Sequence, residues 1–184
     1  MIEDFEFHAH KLKFVTYPGV FAQYGLDYGS KLLLNALDLN AISENASILD
    51  LGCGCGILGL SLAKYFPKSQ VWLIDCDIRA VRNSRTNANL NQIKNATVEI
   101  GDWTDDLPED LRFDLMVSNP PGHQNKEVLG KFVNSSFRFL KSKGCLVIVI
   151  NRMMNLIKLI EDKFGNVEIL TKKQGYLIIK ARKN

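Results

Sequence analysis

Asn119, Pro120 and Pro121 follow the apolar run Phe113–Ser118. Proline donates no backbone hydrogen bond and fixes its own φ. A residue that precedes proline is held toward extended backbone. The segment therefore predicts a stiff turn carrying one amide side chain and bare carbonyls. Such a turn suits acceptors that must be held still against a bound donor. Asn-Pro is also an ordinary turn former, so the rest of the chain must decide between the two readings.

A second group surrounds "ILDLGCGCGILGL". Asp50 closes an apolar run, and Gly52, Gly54, Gly56 and Gly59 come after it. Gly54, Gly56 and Gly59 satisfy G-x-G-x-x-G between a strand pattern and a helix pattern, and Asp75 ends the next strand pattern. By spacing alone this is a dinucleotide fingerprint and implies an NAD-dependent oxidoreductase. A pyrophosphate would occupy the helix N-terminus, where the Asp50 carboxylate repels it. A cationic ligand fits better, and S-adenosylmethionine brings an ammonium and a sulfonium. Asp75 can accept ribose hydroxyls in either case. "GDW" places Asp102 to accept from an adenine amino group and Trp103 to cover the ring. A turn carboxylate and a core tryptophan are the plainer alternatives for that pair.

These residues need elements to position them. From Ser47 onward, strand patterns alternate with helix patterns: "SILDL", "QVWLID", "ATVEI", "FDLMVS" and "GCLVIVI" between amphipathic stretches. The alternation predicts a mostly parallel, Rossmann-like sheet with helices on both faces. "NVEIL" and "GYLIIKAR", joined by "TKKQG", predict an antiparallel hairpin at one edge. "FEFHAHKLKFVTYPGVF" reads as extended and "GSKLLLNAL" as a helix. Residues 1–184 are read as one α/β domain, with 1–40 as an extension over the cofactor and substrate face.

Composition is that of a globular chain, with 184 residues, 46% hydrophobic and 23% charged. No apolar run approaches a membrane span, and the N-terminus has no signal-peptide core. A cytoplasmic protein without membrane contact is expected. Net charge is +3, with Lys172, Lys173, Lys180, Arg182 and Lys183 near the C-terminus reading equally as a solvated rim or a phosphate-contacting patch. Cys53, Cys55, Cys76 and Cys145 lack zinc spacing and are read as reduced and structural, with no metal expected.

Asp50-Leu51-Gly52-Cys53-Gly54-Cys55-Gly56, Asp75, Asp102 and Asn119-Pro120-Pro121 stand in the order seen in class I S-adenosylmethionine-dependent methyltransferases. With "PGVFAQYGLDYGSKLLL", the chain resembles the catalytic domain of small-subunit ribosomal RNA guanine-N2 methyltransferases from about Phe14 onward. The resemblance implies a class I methyltransferase fold with a seven-stranded sheet, and a ribosomal RNA substrate. It implies that Asn119 and Pro120 are catalytic. It implies that Asp50, Gly52, Gly54, Gly56, Asp75, Asp102, Trp103, Asn119, Gly29 and Ser30 bind S-adenosylmethionine. The Asn119 oxygen and the Pro120 carbonyl would take the N–H groups of the target amine as positive charge builds on its nitrogen. Adenine N6 or a protein glutamine amide would suit the same acceptors. Gly122 departs from the larger, often aromatic residue of the family and offers no stacking face. His123 reads as a general base or as an ordinary loop residue. Phe14, Tyr17, Phe21 and Tyr24 read as a cover over the site or as core.

Overall fold

A computed structural model describes residues 1–17, 26–102, 107–121, 125–151 and 154–184. Trp103, Gly122, His123, Phe21 and Tyr24 lie outside the described residues. The chain opens with a hairpin of β1 (Ile2–Phe7) and β2 (His10–Val15), followed by α1 (Tyr28–Ala36). Then come β3 (Ser47–Leu51), α2 (Ile57–Tyr65), β4 (Gln70–Asp75), α3 (Ile78–Leu90) and β5 (Ala96–Ile100). β6 (Phe113–Ser118), α4 (Lys126–Phe139), β7 (Leu140–Asn151), α5 (Met154–Phe164), β8 (Glu168–Lys173) and β9 (Tyr176–Arg182) complete it.

Among the described residues, seven strands form one sheet in the order β5-β4-β3-β6-β7-β9-β8. The first five are parallel, and β9 runs antiparallel to both β7 and β8. The predicted Rossmann-like fold is thus borne out, including its antiparallel edge. From β3 the chain winds outward through β4 to β5, then crosses back to β6 on the other side of β3. That reversal opens a crevice at the carboxyl ends of β3 and β6, where ligands bind in open α/β sheets. Asp50 lies at the end of β3 and Asn119 comes directly after β6, so both stand at its mouth.

The strands are apolar on both faces because both are covered. Ile48, Leu73, Leu115, Val147 and Ile178 pack in the core layer that also holds Leu33, Leu34 and Leu60. Leu49, Met116, Leu146, Ile148 and Ile179 pack with Leu129, Phe132, Leu156 and Ile160 on the other face. No helix among the described residues is long and apolar enough to cross a membrane.

Two turns differ from the sequence expectation. β8 runs on to Lys173, which shortens the turn to Gln174 and Gly175, with φ of 48° and 81°. A two-residue turn with both φ positive matches strand twist better than a longer loop. β1 and β2 turn at His8 and Ala9, φ 45° and 59°; neither residue type announces that geometry.

Asn83 and Asn87 on α3 and Asn91 at its C-cap recur every fourth residue, so they share one face. That face meets the edge of β2 that β1 leaves open. Asn87 Oδ1 accepts from Val15 N at 2.8 Å, and its Nδ2 donates to Val15 O at 3.0 Å. Asn91 does the same at Lys13, accepting and donating at 2.7 Å. Asn83 Nδ2 adds a bond to Val15 O at 2.7 Å. The amides thus stand in for a neighbouring strand and close an exposed edge. Asn87 Nδ2 also donates to Cys55 O at 2.9 Å, which ties the glycine loop to the ladder. Asn87 is fully buried, so Asn87→Ala strands Val15 N and Cys55 O without partners. The expected cost is about 2–3 kcal/mol, or a melting temperature lower by roughly 5–10 °C, read by thermal denaturation. A shift under about 2 °C, small beside that range, would make the ladder incidental.

Candidate active site

The segment between β3 and α2 is shaped by backbone more than by side chains. Gly52, Gly54 and Gly56 have φ of 75°, 57° and 86°, a region costly for any residue with a Cβ. Gly52 N and Cys53 N both donate to Ile74 O, at 2.8 and 3.0 Å. Ser84 Oγ donates to Gly54 O at 2.9 Å. Gly56 is the N-cap of α2 and has no side chain to cap it. Asp50 does so from the strand, its Oδ2 accepting the Gly59 N–H at 2.8 Å. Gly59 must be small, because a Cβ there would stand 2.7 Å from Leu73 Cγ.

The literal dinucleotide fingerprint therefore divides into separate roles. Gly54 and Gly56 set the turn, and Gly59 lets helix and strand approach. The positive end of α2, which a pyrophosphate would need, already faces a carboxylate. Asp50 is 1% exposed, and its Oδ1 is buried without a hydrogen-bond partner among the described residues. Burial is the main cause that pushes its carboxyl up to about 7; the Gly59 N–H opposes this and the Asp75 charge adds to it. An orphaned, buried carboxylate oxygen is a costly feature that a bound ammonium relieves. The residues present thus fit S-adenosylmethionine and disfavour NAD.

Asp75 is held on both sides. Its Oδ2 accepts from Gly54 N and its Oδ1 from Asp77 N, each at 2.9 Å. A carboxylate has about four lone-pair sites, so acceptor capacity remains toward the cavity it lines. That cavity, about 460 Å³, is also bordered by Gly52, Gly101, Asp102, Asn119 and Lys131. Among the described residues a Cβ on Gly52 would meet nothing within 4 Å, so bare backbone faces the cavity there. A second, small space of about 20 Å³ is bordered by Asp27, Ser30, Asp50, Gly52 and Asn119. The structure therefore brings together Asp50, Gly52, Gly54, Asp75, Asp102, Asn119 and Ser30. Gly56 sits behind them as the α2 cap, and Gly29 under the ring of Tyr176. Trp103 lies outside the described residues.

Asn119 is anchored from the opposite side of the crevice. Its Nδ2 donates to Asp27 Oδ2 at 2.5 Å and to Ser30 Oγ at 2.9 Å. A carboxylate accepts only, so the amide nitrogen must face Asp27 and the oxygen must face away. Ser118 Oγ, fully buried, donates to Leu51 O at 2.6 Å and locks the turn onto the end of β3. Pro120 is buried, and its ring stiffens the turn after Asn119.

Asp27 was not legible as a site residue, although "LDYGS" shows an N-cap pattern. Its Oδ2 caps α1 by accepting from Ser30 N at 2.8 Å and serves Asn119 at the same time. Glu3 fixes the approach to this cap, accepting from Leu26 N at 2.7 Å and Lys31 Nζ at 2.8 Å. Phe14 is fully buried against Phe5 and is core; Tyr17 is exposed. Burial pushes the Cys53 thiol up, and that of Cys55 to about 11, so both stay protonated beneath the loop. Among the described residues no group of His, Cys, Asp and Glu is placed to hold a metal ion.

The basic C-terminal residues divide between the two ends of the sheet. Lys172 and Lys173 lie at the β8–β9 turn beside the carboxyl end of β7. Lys183 is at the far end, its Nζ donating to Leu140 O at 2.8 Å over the Phe137 ring. Arg182 is there too, its Nε donating to Lys143 O at 3.2 Å.

Known proteins match this arrangement. The family model for the methyltransferase small domain matches residues 11–180. YbxB of Bacillus subtilis is 35% identical over 173 residues, which cover 92% of this chain and 85% of that protein. Ribosomal RNA small subunit methyltransferase C of Pseudomonas entomophila is 36% identical over 174 residues, covering 92% of this chain and 51% of the relative. The T. thermophilus 16S ribosomal RNA guanine-N2 methyltransferase, solved with AdoMet and guanosine, superposes with a TM-score of 0.88 at 30% identity. It covers 100% of this chain, which covers 50% of it. The chain thus spans about half the length of the ribosomal RNA methyltransferases it matches. The chain belongs to the methyltransferase small domain family and is a class I S-adenosylmethionine-dependent methyltransferase.

Proposed function

We propose that this chain methylates an exocyclic amine, with guanine N2 in ribosomal RNA as the target. The observation that carries the reading is the Asn119 amide, whose nitrogen is taken by Asp27 and Ser30 so that its oxygen is left for a substrate N–H. The likeness to the guanine-N2 methyltransferase supports the choice of target.

Asp50 would hold the donor's ammonium, Asp75 its ribose hydroxyls and Asp102 its adenine amino group. Trp103, outside the described residues, would cover that ring. Gly52, Gly54 and Gly56 would give the backbone its close approach. Gly29 and Ser30 would complete the methionine end. When bound, S-adenosylmethionine supplies an electrophilic methyl carbon. An exocyclic amine conjugated with its ring is a weak nucleophile. The Asn119 oxygen and the Pro120 carbonyl accept its two N–H bonds, which stabilises positive charge as it develops. They also fix the direction of the lone pair in advance. Asp27 is a positioning residue, acting through Asn119. No base is required before transfer, because the charged nitrogen releases its proton afterwards. In this reading residues 1–184 act as one domain in the cytoplasm, with 1–40 as a cover over the cofactor and substrate face.

The test is methyl transfer from labelled S-adenosylmethionine to in vitro transcribed 16S ribosomal RNA, with mass analysis of the product nucleosides. N2-methylguanosine is expected. N6-methyladenosine, or labelling of glutamine in ribosomal proteins, would replace the target; no transfer to any of these would remove the reading.

A further inference from the structure

Every carboxylate at the crevice works against a polyanion. Asp27, Asp50, Asp75 and Asp102 all border it, so an RNA backbone cannot lie across the mouth. Phosphates must be held to one side by cations that no protein carboxylate already neutralises. Lys31, Lys68, Lys131, Lys141 and Lys180 each pair with an acidic side chain. Lys172 and Lys173 are exposed neighbours with no ion pair among the described residues. Lys126, at the start of α4, is also exposed without one, but of these only Lys172 and Lys173 form an adjacent pair.

Those two lysines stand on a wall beside the site. β6 ends at Ser118, which is level with Ile148 of β7. β7 continues to Asn151, which pairs with Tyr176. Three further residues of strand carry the β8–β9 tip about 10 Å beyond the end of β6. Tyr176 opens β9 immediately below this tip. Its ring meets that of Tyr28 at 5.6 Å between centroids, inclined by 57°. Both rings are only half-buried. A Cβ on Gly29 would stand 2.9 Å from Tyr176 Cε1 and 3.0 Å from Asp27 Oδ2. The aromatic edge and the carboxylate that grips Asn119 therefore meet over one bare glycine.

We infer that this wall docks the target nucleotide of an RNA strand, with a base against Tyr176 and Tyr28 and its phosphates on Lys172 and Lys173. It supplies the aromatic surface that Gly122 lacks. The inference rests on the RNA reading above and names the residues that capture the strand. Aromatic stacking tolerates any base, because every base has a π face, so the wall captures and the Asn119 acceptors select.

Steady-state transfer to in vitro transcribed 16S ribosomal RNA tests it, with S-adenosylmethionine affinity measured separately by calorimetry. Tyr176→Ala is expected to raise KM for RNA about tenfold or more, while Tyr176→Phe stays within about twofold because its ring still stacks. Lys172→Glu with Lys173→Glu is expected to raise KM and to flatten the log–log salt dependence by about 1.4, the slope lost with two phosphate contacts on a single strand. Donor affinity should hold in all three. The lysine pair is on an exposed turn and carries the test if Tyr176→Ala does not fold. Wild-type transfer to RNA with KM and salt slope unchanged in the variants overturns the wall alone. Transfer to a protein amide and not to RNA overturns the substrate reading, and the wall with it.

Discussion

Asn119→Ala should lower kcat about a hundredfold or more while leaving S-adenosylmethionine affinity nearly constant. The alanine removes an acceptor fixed before the substrate arrives, and losing one such preorganised group typically costs roughly 10²–10³ in kcat. The fixation is visible in the two bonds that hold the amide nitrogen, to Asp27 and Ser30. Asn119→Asp keeps the shape but sets a second carboxylate against Asp27 at hydrogen-bond distance. Two like charges there cannot both ionise freely, so this variant should also lose activity. Asp27→Ala frees the amide to rotate and should lower kcat with a smaller change in KM. Rates and KM for RNA, with donor affinity by calorimetry, decide the matter. Near-wild-type turnover in Asn119→Ala would make the asparagine turn structural only.

Asp50→Ala should weaken S-adenosylmethionine about ten- to a hundredfold, the scale of a lost charge-assisted hydrogen bond of roughly 1.5–3 kcal/mol. The pH dependence gives a second readout. The Asp50 carboxyl is raised from an ordinary 3.8 to about 7, chiefly by burial. A carboxyl raised on folding holds its proton more tightly in the folded chain. Its contribution to stability is therefore complete below the unfolded value near 3.8 and is lost as pH rises to about 7. The ligand-free protein should lose stability across that window, on the order of 4 kcal/mol for a shift of that size. Donor binding needs the ionised form, so affinity should rise up to about tenfold per pH unit below the folded value and level off above it. Asp50→Asn should flatten both curves. Calorimetric affinity that stays flat from about pH 5.5 to 8 would show that Asp50 does not meet the ammonium.

Much of the architecture was readable in the residue pattern. Strand and helix patterns from Ser47 to Phe164 matched the observed elements closely, because parallel strands buried on both faces are continuous apolar runs. "FDLMVS" and "QVWLID" gave their ends to the residue, since polar punctuation closes each. β7 was harder. It begins at Leu140 straight from α4, four residues before the expected Gly144, because pairing with Phe113 of β6 recruits Leu140, the last residue of the helix pattern, and a register shift precedes the pairing of Leu115 with Cys145.

Asp50, Asp75 and Asn119 were legible as chemistry because each is a polar residue at the end of an apolar run. Only the fold decides what each does. Asp50 caps a helix that its own glycine could not cap. That pairing spans nine residues and depends on α2 folding back over β3. Asp27 caps a helix in sequence and grips Asn119 in space, a contact across 92 positions that no local pattern encodes. The asparagine ladder was written in the sequence as a fourfold spacing, but its partner, the open edge of β2, exists only once the hairpin docks. The C-terminal cations looked like one patch; antiparallel pairing set Lys172 and Lys173 at the β8–β9 turn, beside the carboxyl end of β7, and left Arg182 and Lys183 at the opposite end of the sheet. Sequence by itself determined the periodicities, the stiff Asn-Pro-Pro turn, the glycine loop and the polar residues that end the strands at the crevice, since these arise from local sterics and burial. Tertiary structure decided which groups meet, since a hydrogen bond between distant residues is set by how layers pack and strands return.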